Sequence, residues 1–241
     1  MGVSIGYRGR LRDPAVVPEL VSDLKSRAGA AGWPCKTMDE LVAEGRVACS
    51  GLQGITLYPH SQCEPVHFHF DDEGTFVNHT YFSLLHDPEK AAIFMEALAE
   101  SAALSRRLTS GTTDEEVHRG SGLGVSVAAT PDAPGLAFFK EGSRYNWTKT
   151  QFAGAKVHIA VCGLLRHVKD RYAPDLEVTD DSKYFEGGDY SRLEADLAYV
   201  DRLTDLTAKA FEAACSTGPT TLEGLLNRVN DDLAEAKNKL H

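Results

Sequence analysis

Between residues 54 and 70 the chain alternates. GITLYPH (54–60) and EPVHFHF (64–70) are apolar at every second position, which predicts two half-buried strands; Val66, Phe68 and Phe70 share one face of the second. SIGYRGRL (4–11), LGVSVAAT (123–130), LAFFKEG (136–142), YNWTKTQF (145–152) and DLEVTD (175–180) read as further strands. Elsewhere the period lengthens to that of helices. DPAVVPELVSDLKSRAGAAG (13–32) has Asp13 to cap it, Pro14 at its first position, and Gly29 and Gly32 at its end. HDPEKAAIFMEALAESAALSRRL (86–108) opens on Asp87, Pro88 and Glu89 and closes on Arg106 and Arg107, the charge order that suits a helix dipole. AKVHIAVCGLLRHVKDRY (155–172) is stopped by Pro174, and SRLEADLAYVDRLTDLTAKAFEAA (191–214) is a long amphipathic helix. A last helix, TLEGLLNRVNDDLAEAKNKL (221–240), carries Leu222, Leu225, Leu226, Val229 and Leu233 as its apolar stripe.

This order of elements predicts an α+β protein, with mixed or antiparallel sheets and helices packed on one side. The polar, glycine-rich run TSGTTDEEVHRGSG (109–122) is the natural linker. It divides an N-terminal α+β half, 1–108, from a C-terminal half, 123–241, that ends in two long helices. Each half runs strand, short loop, helix, strand, so the two read as related; a single domain is the alternative.

The formal net charge is -10, from 25 basic and 35 acidic residues. An acidic chain lacks the basic face that neutralises phosphates, so nucleic acid and anionic membrane are not expected partners. No apolar run reaches membrane-spanning length, the first ten residues have no signal-peptide core, and MGVSIG lacks the myristoylation pattern. The five cysteines are scattered and contain no C-x-x-C pair. A cytoplasmic protein with reduced thiols is the expectation.

EPVHFHFDDEG (64–74) holds the sharpest candidate chemistry. Asp71 and Gly74 have the preferences of a type I turn with a glycine bulge. A loop of Asp72, Glu73 and Gly74 then sets Asp71 opposite Thr75, Phe70 opposite Phe76 and His67 opposite His79. His67, His69 and His79 would converge as the three protein ligands of a catalytic zinc or iron site do, with Cys63 and Glu73 as nearby donors. The plainer alternative places the histidines on the wet face of an antiparallel sheet whose other face carries the phenylalanines. His67, His69 and Glu73 also resemble half of a cupin motif, without its framing glycines or a second histidine segment.

Arg8 and Arg10 share one face of the first strand, and Lys149 and Gln151 one face of another. If those strands are neighbours, the four form a cationic groove for a small phosphate or carboxylate ligand; the alternative is a solvated face with ordinary ion pairs. The acidic run 175–190 fits no EF-hand loop and reads as a solvated segment. His158 and Cys162, four apart on one helix, read as packing residues. There is no G-x-S-x-G, no P-loop and no dinucleotide fingerprint.

YRGRL, CEPVHFHFDDEG and KTQFAGAKVHIAVCGLLRHVKDRY together resemble a family of bacterial proteins with no assigned activity, over most of the chain. The resemblance implies that YRGRL and KTQF are signature strands, and it implies no substrate. No motif specifies an activity. The expectation is therefore a non-catalytic interaction or regulatory protein, with the helix at 221–240 available to a protein partner or a second copy of the chain. The alternatives are an anion-binding protein built on Arg8, Arg10, Lys149 and Gln151, and an enzyme built on the three histidines.

Overall fold

The computed structural model describes residues 2–47, 51–85, 87–109 and 139–216. The fold is α+β, with two antiparallel three-stranded sheets. Strand β1 (Ser4–Arg8) lies between β5 (Asn146–Lys149) and β6 (Glu177–Asp180). Its ladder pairs Ser4 with Lys149 and Tyr7 with Asn146 on one side, and Ile5 with Asp180 and Arg8 with Glu177 on the other. Alternation then gives one face to Ile5, Tyr7, Asn146, Thr148 and Asp180, every one of them fully buried. Gly6 points to the opposite face, where any Cβ would overlap the Tyr145 hydroxyl.

Beyond Arg8 the chain leaves this sheet and pairs with the second. Phe76 N–H donates to Gly9 O at 3.0 Å, and Leu11 N–H donates to Gly74 O at 2.9 Å. The second sheet has the order β2 (Cys35–Thr37), β3 (Gln53–Leu57), β4 (Val66–Phe70). One face, with Ile55, Leu57, Val66, Phe68 and Phe70, forms the main core. Helix α1 (Val17–Ala31) buries Val17, Leu20, Leu24 and Ala28 there, at the three- and four-residue spacing of an amphipathic stripe. Asp13 caps the turn before α1 by accepting from Ala15 N–H at 2.9 Å, and Gly32 ends the helix in the left-handed region at φ 69°.

The other face of this sheet carries Gly54, Thr56, His67 and His69. It is covered. Helix α2 (Met38–Ala43) starts with a capping box between Thr37 and Glu40. Its Met38 and Leu41 join Val47, Leu52 and Val77 in a second apolar cluster, and Val77 is the neighbour of His69 in the hairpin ladder. Helix α3 (His79–Leu85) follows, capped by Asn78, whose Oδ1 accepts from Thr80 N–H at 3.1 Å. Then come α4 (Pro88–Thr109), α5 (Ala155–Arg171), α6 (Tyr184–Gly187) and α7 (Tyr190–Ser216).

By contacts the chain forms two units. The larger, Gly2–Ile93 with Val125–Leu197, holds both sheets and all the sites below. The smaller contains α4 from Phe94 and α7 from Ala198. Of the strand expected at 136–142, the described residues 139–142 form a helical turn instead, closed by Ser143 N–H to Phe139 O at 2.8 Å. The strand expected at 123–130 and the helix expected at 221–240 lie outside the described residues, as does the linker at 109–122 after Thr109, which ends α4. No helix among the described residues is long and apolar enough to cross a membrane.

Strands from both sides of the 109–122 segment meet in one sheet, with β1 bonded on both edges. A protease site engineered within 109–122 and cut to completion should therefore leave two pieces that elute together in native gel filtration and part only in denaturant. Two separately folded fragments would show that 1–108 and 123–241 are independent halves.

Candidate metal centre

The turn of the hairpin sets the positions of the histidines. Asp71 Oδ1 accepts from Glu73 N–H at 3.1 Å and Thr75 N–H at 2.8 Å, while Gly74 takes φ 78°, a conformation that favours glycine. Asp71 N–H then meets Thr75 O at 3.2 Å, Phe70 bridges Phe76, and Val77 N–H donates to His69 O at 2.8 Å. Two residues further on, the same register sets His67 against His79. The chain turns into α3 at that point, so His79 is a helix residue rather than the strand residue expected, and it still reaches His67. On the far side β3 places Gly54 opposite His69 and Thr56 opposite His67. Gly54 has φ 132°, and a Cβ there would run into the Phe68 carbonyl oxygen.

The three imidazoles form a near-equilateral triangle. Ring centroids are 5.1 Å apart for His67 and His69, 4.8 Å for His67 and His79, and 5.0 Å for His69 and His79. One nitrogen of each ring lies within 4.8 Å of the other two. A tetrahedral zinc ion with Zn–N of about 2.0–2.1 Å puts ring centres about 3.2 Å from the metal and so about 5 Å from one another. The triangle has that size.

Thr56 holds two of the rings. Its Oγ1 is 3.0 Å from His67 Nδ1 and 2.8 Å from His69 Nε2. A hydroxyl oxygen has two lone pairs, so it can accept an N–H from both rings. Those tautomers leave His67 Nε2 and His69 Nδ1 as bare lone pairs. His69 Nδ1 and His79 Nδ1 are buried with no hydrogen-bond partner. Burial, and then the charge of His79, pushes His67 down to about 3. Burial lowers His69 well below the ordinary value, with its two neighbours adding to the effect, and burial also lowers His79. All three are neutral at pH 7, the form in which imidazole ligates metals.

The other sequence candidates do not join them. Among the described residues, the group here with metal-like spacing contains His67, His69 and His79 only. Cys63 Sγ donates to Glu64 O at 3.2 Å, and its thiol is pushed up to about 12 by burial first and Glu64 second. Glu73 faces Arg10 at 3.6 Å on the exposed turn.

Nor does the structure assemble the expected cationic groove. β1 and β5 are neighbours, as that idea needed, but they are antiparallel. Arg8 therefore sits at one end of β1 and Lys149 at the other, about 13 Å away at the rise of a strand. Arg8 pairs with Glu177 at 2.7 Å, Arg10 Nε donates to Glu73 O at 2.9 Å, and Gln151 Oε1 accepts from Val3 N–H at 3.2 Å.

A second group, His158, Cys162 and Asp180, has metal-like spacing and the opposite character. His158 Nδ1 meets Thr150 Oγ1 at 2.8 Å and Nε2 meets Asp180 Oδ2 at 3.1 Å. Asp180 also accepts from Phe185 N–H at 2.8 Å and from the Ser182 hydroxyl at 2.8 Å. Burial alone would raise the Asp180 carboxyl, but these hydrogen bonds outweigh it and hold it at about 2. Every polar group of this network has a partner, as a structural network in a core requires. Other acidic residues of 175–190 also have structural partners: Glu177 pairs with Arg8, Asp181 accepts from Ser4 N–H at 3.0 Å, and Asp189 caps α7 through Arg192 N–H at 3.0 Å.

Sequence reasoning missed Thr56, Tyr7 and Asn146. The alternation of GITLYPH does place Thr56 on a polar face, but nothing in sequence pairs it with His67. Tyr7 OH accepts from His67 N–H and donates to His67 O, both at 2.9 Å, across 60 residues of chain. No protein-family model, curated protein or solved structure matches the chain.

Two outcomes are expected. Tyr7→Phe should lose about 2–4 kcal/mol in urea unfolding, because it strands a buried N–H and a buried C=O of His67. Metal-free protein should also weaken on acidification below pH 6.5. With folded pKa values lowered, the unfolded state binds more protons in this window, so stability falls as pH falls. His67 alone contributes about 2 kcal/mol of loss between pH 6.5 and pH 5. The Asp180 contribution is retained there and is lost only as pH falls from about 4 towards 2. Urea midpoints measured from pH 7.5 to pH 2 should show both steps.

Proposed function

We propose that this protein binds one divalent metal ion, zinc by preference, through His67, His69 and His79, and that the ion keeps an open coordination position. The observation that carries the reading is the triangle of neutral rings with two buried, unpartnered Nδ1 atoms. Buried polar atoms without partners are rare, because each costs free energy that a bound ligand would recover. Zinc is favoured over iron because the usual iron triad includes a carboxylate and the described group has none. Three protein ligands and an open fourth position are the arrangement of zinc ions that activate water, so the reading favours metal-assisted hydrolysis or hydration over a purely structural ion. His67 and His79 are partly exposed, which leaves the centre reachable from solvent. The interaction role expected of the helix at 221–240 concerns residues outside those described.

Elemental analysis of untagged protein should find close to one zinc per chain, and His69→Ala or His79→Ala should lose most of it. Thr56→Val should keep the stoichiometry and weaken affinity by about 10–100-fold, as loss of an outer-shell partner does. Zinc at 100 times its Kd should stabilise wild-type protein by about 2.7 kcal/mol over the chelated form. Wild-type protein that takes up no more zinc than His69→Ala would overturn the reading.

A further inference from the structure

Asn146 is fully buried, and neither its Oδ1 nor its Nδ2 has a hydrogen-bond partner. A carboxamide buried this way is costly, so its position matters. Four contacts fix that position. Glu64 N–H donates to Lys149 O at 3.0 Å and Thr148 Oγ1 donates to Pro65 O at 2.7 Å. Each step forward on one segment is a step back on the other, which brings Asn146 opposite His67. Tyr7, the ladder partner of Asn146, has its hydroxyl on the backbone of His67 at 2.9 Å. Asn78, which precedes His79, donates through Nδ2 to the carbonyl of Tyr145, which precedes Asn146, at 3.4 Å. The Tyr7 ring lies against Phe68 and Phe76 of the core. Asn78 N–H donates to Ser143 O at 2.7 Å, so the segment that leads into β5 lies against the residue before His79.

We propose that the three-histidine centre takes a small oxyanion, such as a carboxylate, in its open position, with the Asn146 carboxamide as the hydrogen-bond donor that holds it. This deepens the metal reading and rests on it. Its second support is charge. Three neutral imidazoles and a neutral amide leave the two positive charges of the ion uncompensated, and no carboxylate belongs to the described group. A dication in a poorly hydrated site attracts an anionic ligand strongly. Asn146 Nδ2 donates to the oxygen that the metal does not hold, and Oδ1 accepts from a protonated oxygen when the ligand is water.

The test uses the full chain loaded with cobalt(II), whose visible spectrum reports the coordination of the ion. Acetate is the probe, with inorganic phosphate as a second. Acetate should change the wild-type spectrum at saturable concentration. Asn146→Ala should bind cobalt at the same stoichiometry and acetate about tenfold more weakly, the loss of one hydrogen bond to a charged group. Asn146→Asp should hold cobalt more tightly and acetate more weakly still, because the added carboxylate offsets one of the ion's two charges and repels a second anion. In wild-type zinc protein the side-chain amide signal of Asn146 should shift on adding acetate, a reading that needs no variant to fold. An unmoved amide signal, equal acetate affinity in Asn146→Ala, or a cobalt spectrum that ignores both anions overturns this inference and leaves the metal centre standing. Absence of any cobalt spectrum in wild-type protein overturns the metal reading and this one together.

Discussion

The Tyr7 hydroxyl is the contact on which the arrangement turns. It saturates both backbone groups of His67 on the free edge of β4, so an edge strand that would otherwise present an unpaired N–H and C=O is closed by a side chain from the other sheet. The same residue packs against Phe68 at a tilt and Phe76 edge-on, and lies beside Asn146 in its own ladder. Packing, edge closure and the alignment of two sheets thus meet at one phenol. Burial first of all, opposed by its bond to His67, raises the Tyr7 pKa, so the hydroxyl stays protonated and able to donate at any ordinary pH.

Two groups have metal-like spacing, one of three histidines and the other of His158, Cys162 and Asp180, and hydrogen-bond satisfaction separates them. Around His158 each ring nitrogen, carboxylate oxygen and hydroxyl has a partner, so the group needs nothing further. Around His69 two ring nitrogens have none, and a carboxamide at Asn146 adds two more orphaned atoms to the same part of the larger unit. Spacing alone would admit a metal at either group. The polar groups left over single out one of them.

Much of the local structure was readable because it depends on short-range chemistry. The Asp71 to Gly74 turn, the Asp13 cap and the Gly32 stop each follow from residues a few positions apart. So did the Phe70–Phe76 register, and with it the meeting of His67 and His79. The covered state of the histidine face was not readable. It depends on α2, whose Thr37–Glu40 capping box is plain in the sequence but whose six residues are too few to show a helical period. Antiparallel pairing of β1 with β5 was equally hidden, since both directions satisfy the same alternation; only the direction decides that Arg8 and Lys149 stand apart. Asn146 carried no signal at all, because an asparagine in a strand is ordinary until its surroundings are known.

The three histidines lie within one contiguous stretch, residues 67 to 79, whereas Asn146 follows 67 residues after the last of them. On a ribosome, the hairpin and the first turn of α3 emerge while the strand that carries the carboxamide has yet to be made. Loop closure over so short a segment costs little entropy. The part that would grip an ion and the part that would orient its guest are therefore separated in time during synthesis, and the nascent chain holds a complete set of imidazoles before it holds anything to select a ligand.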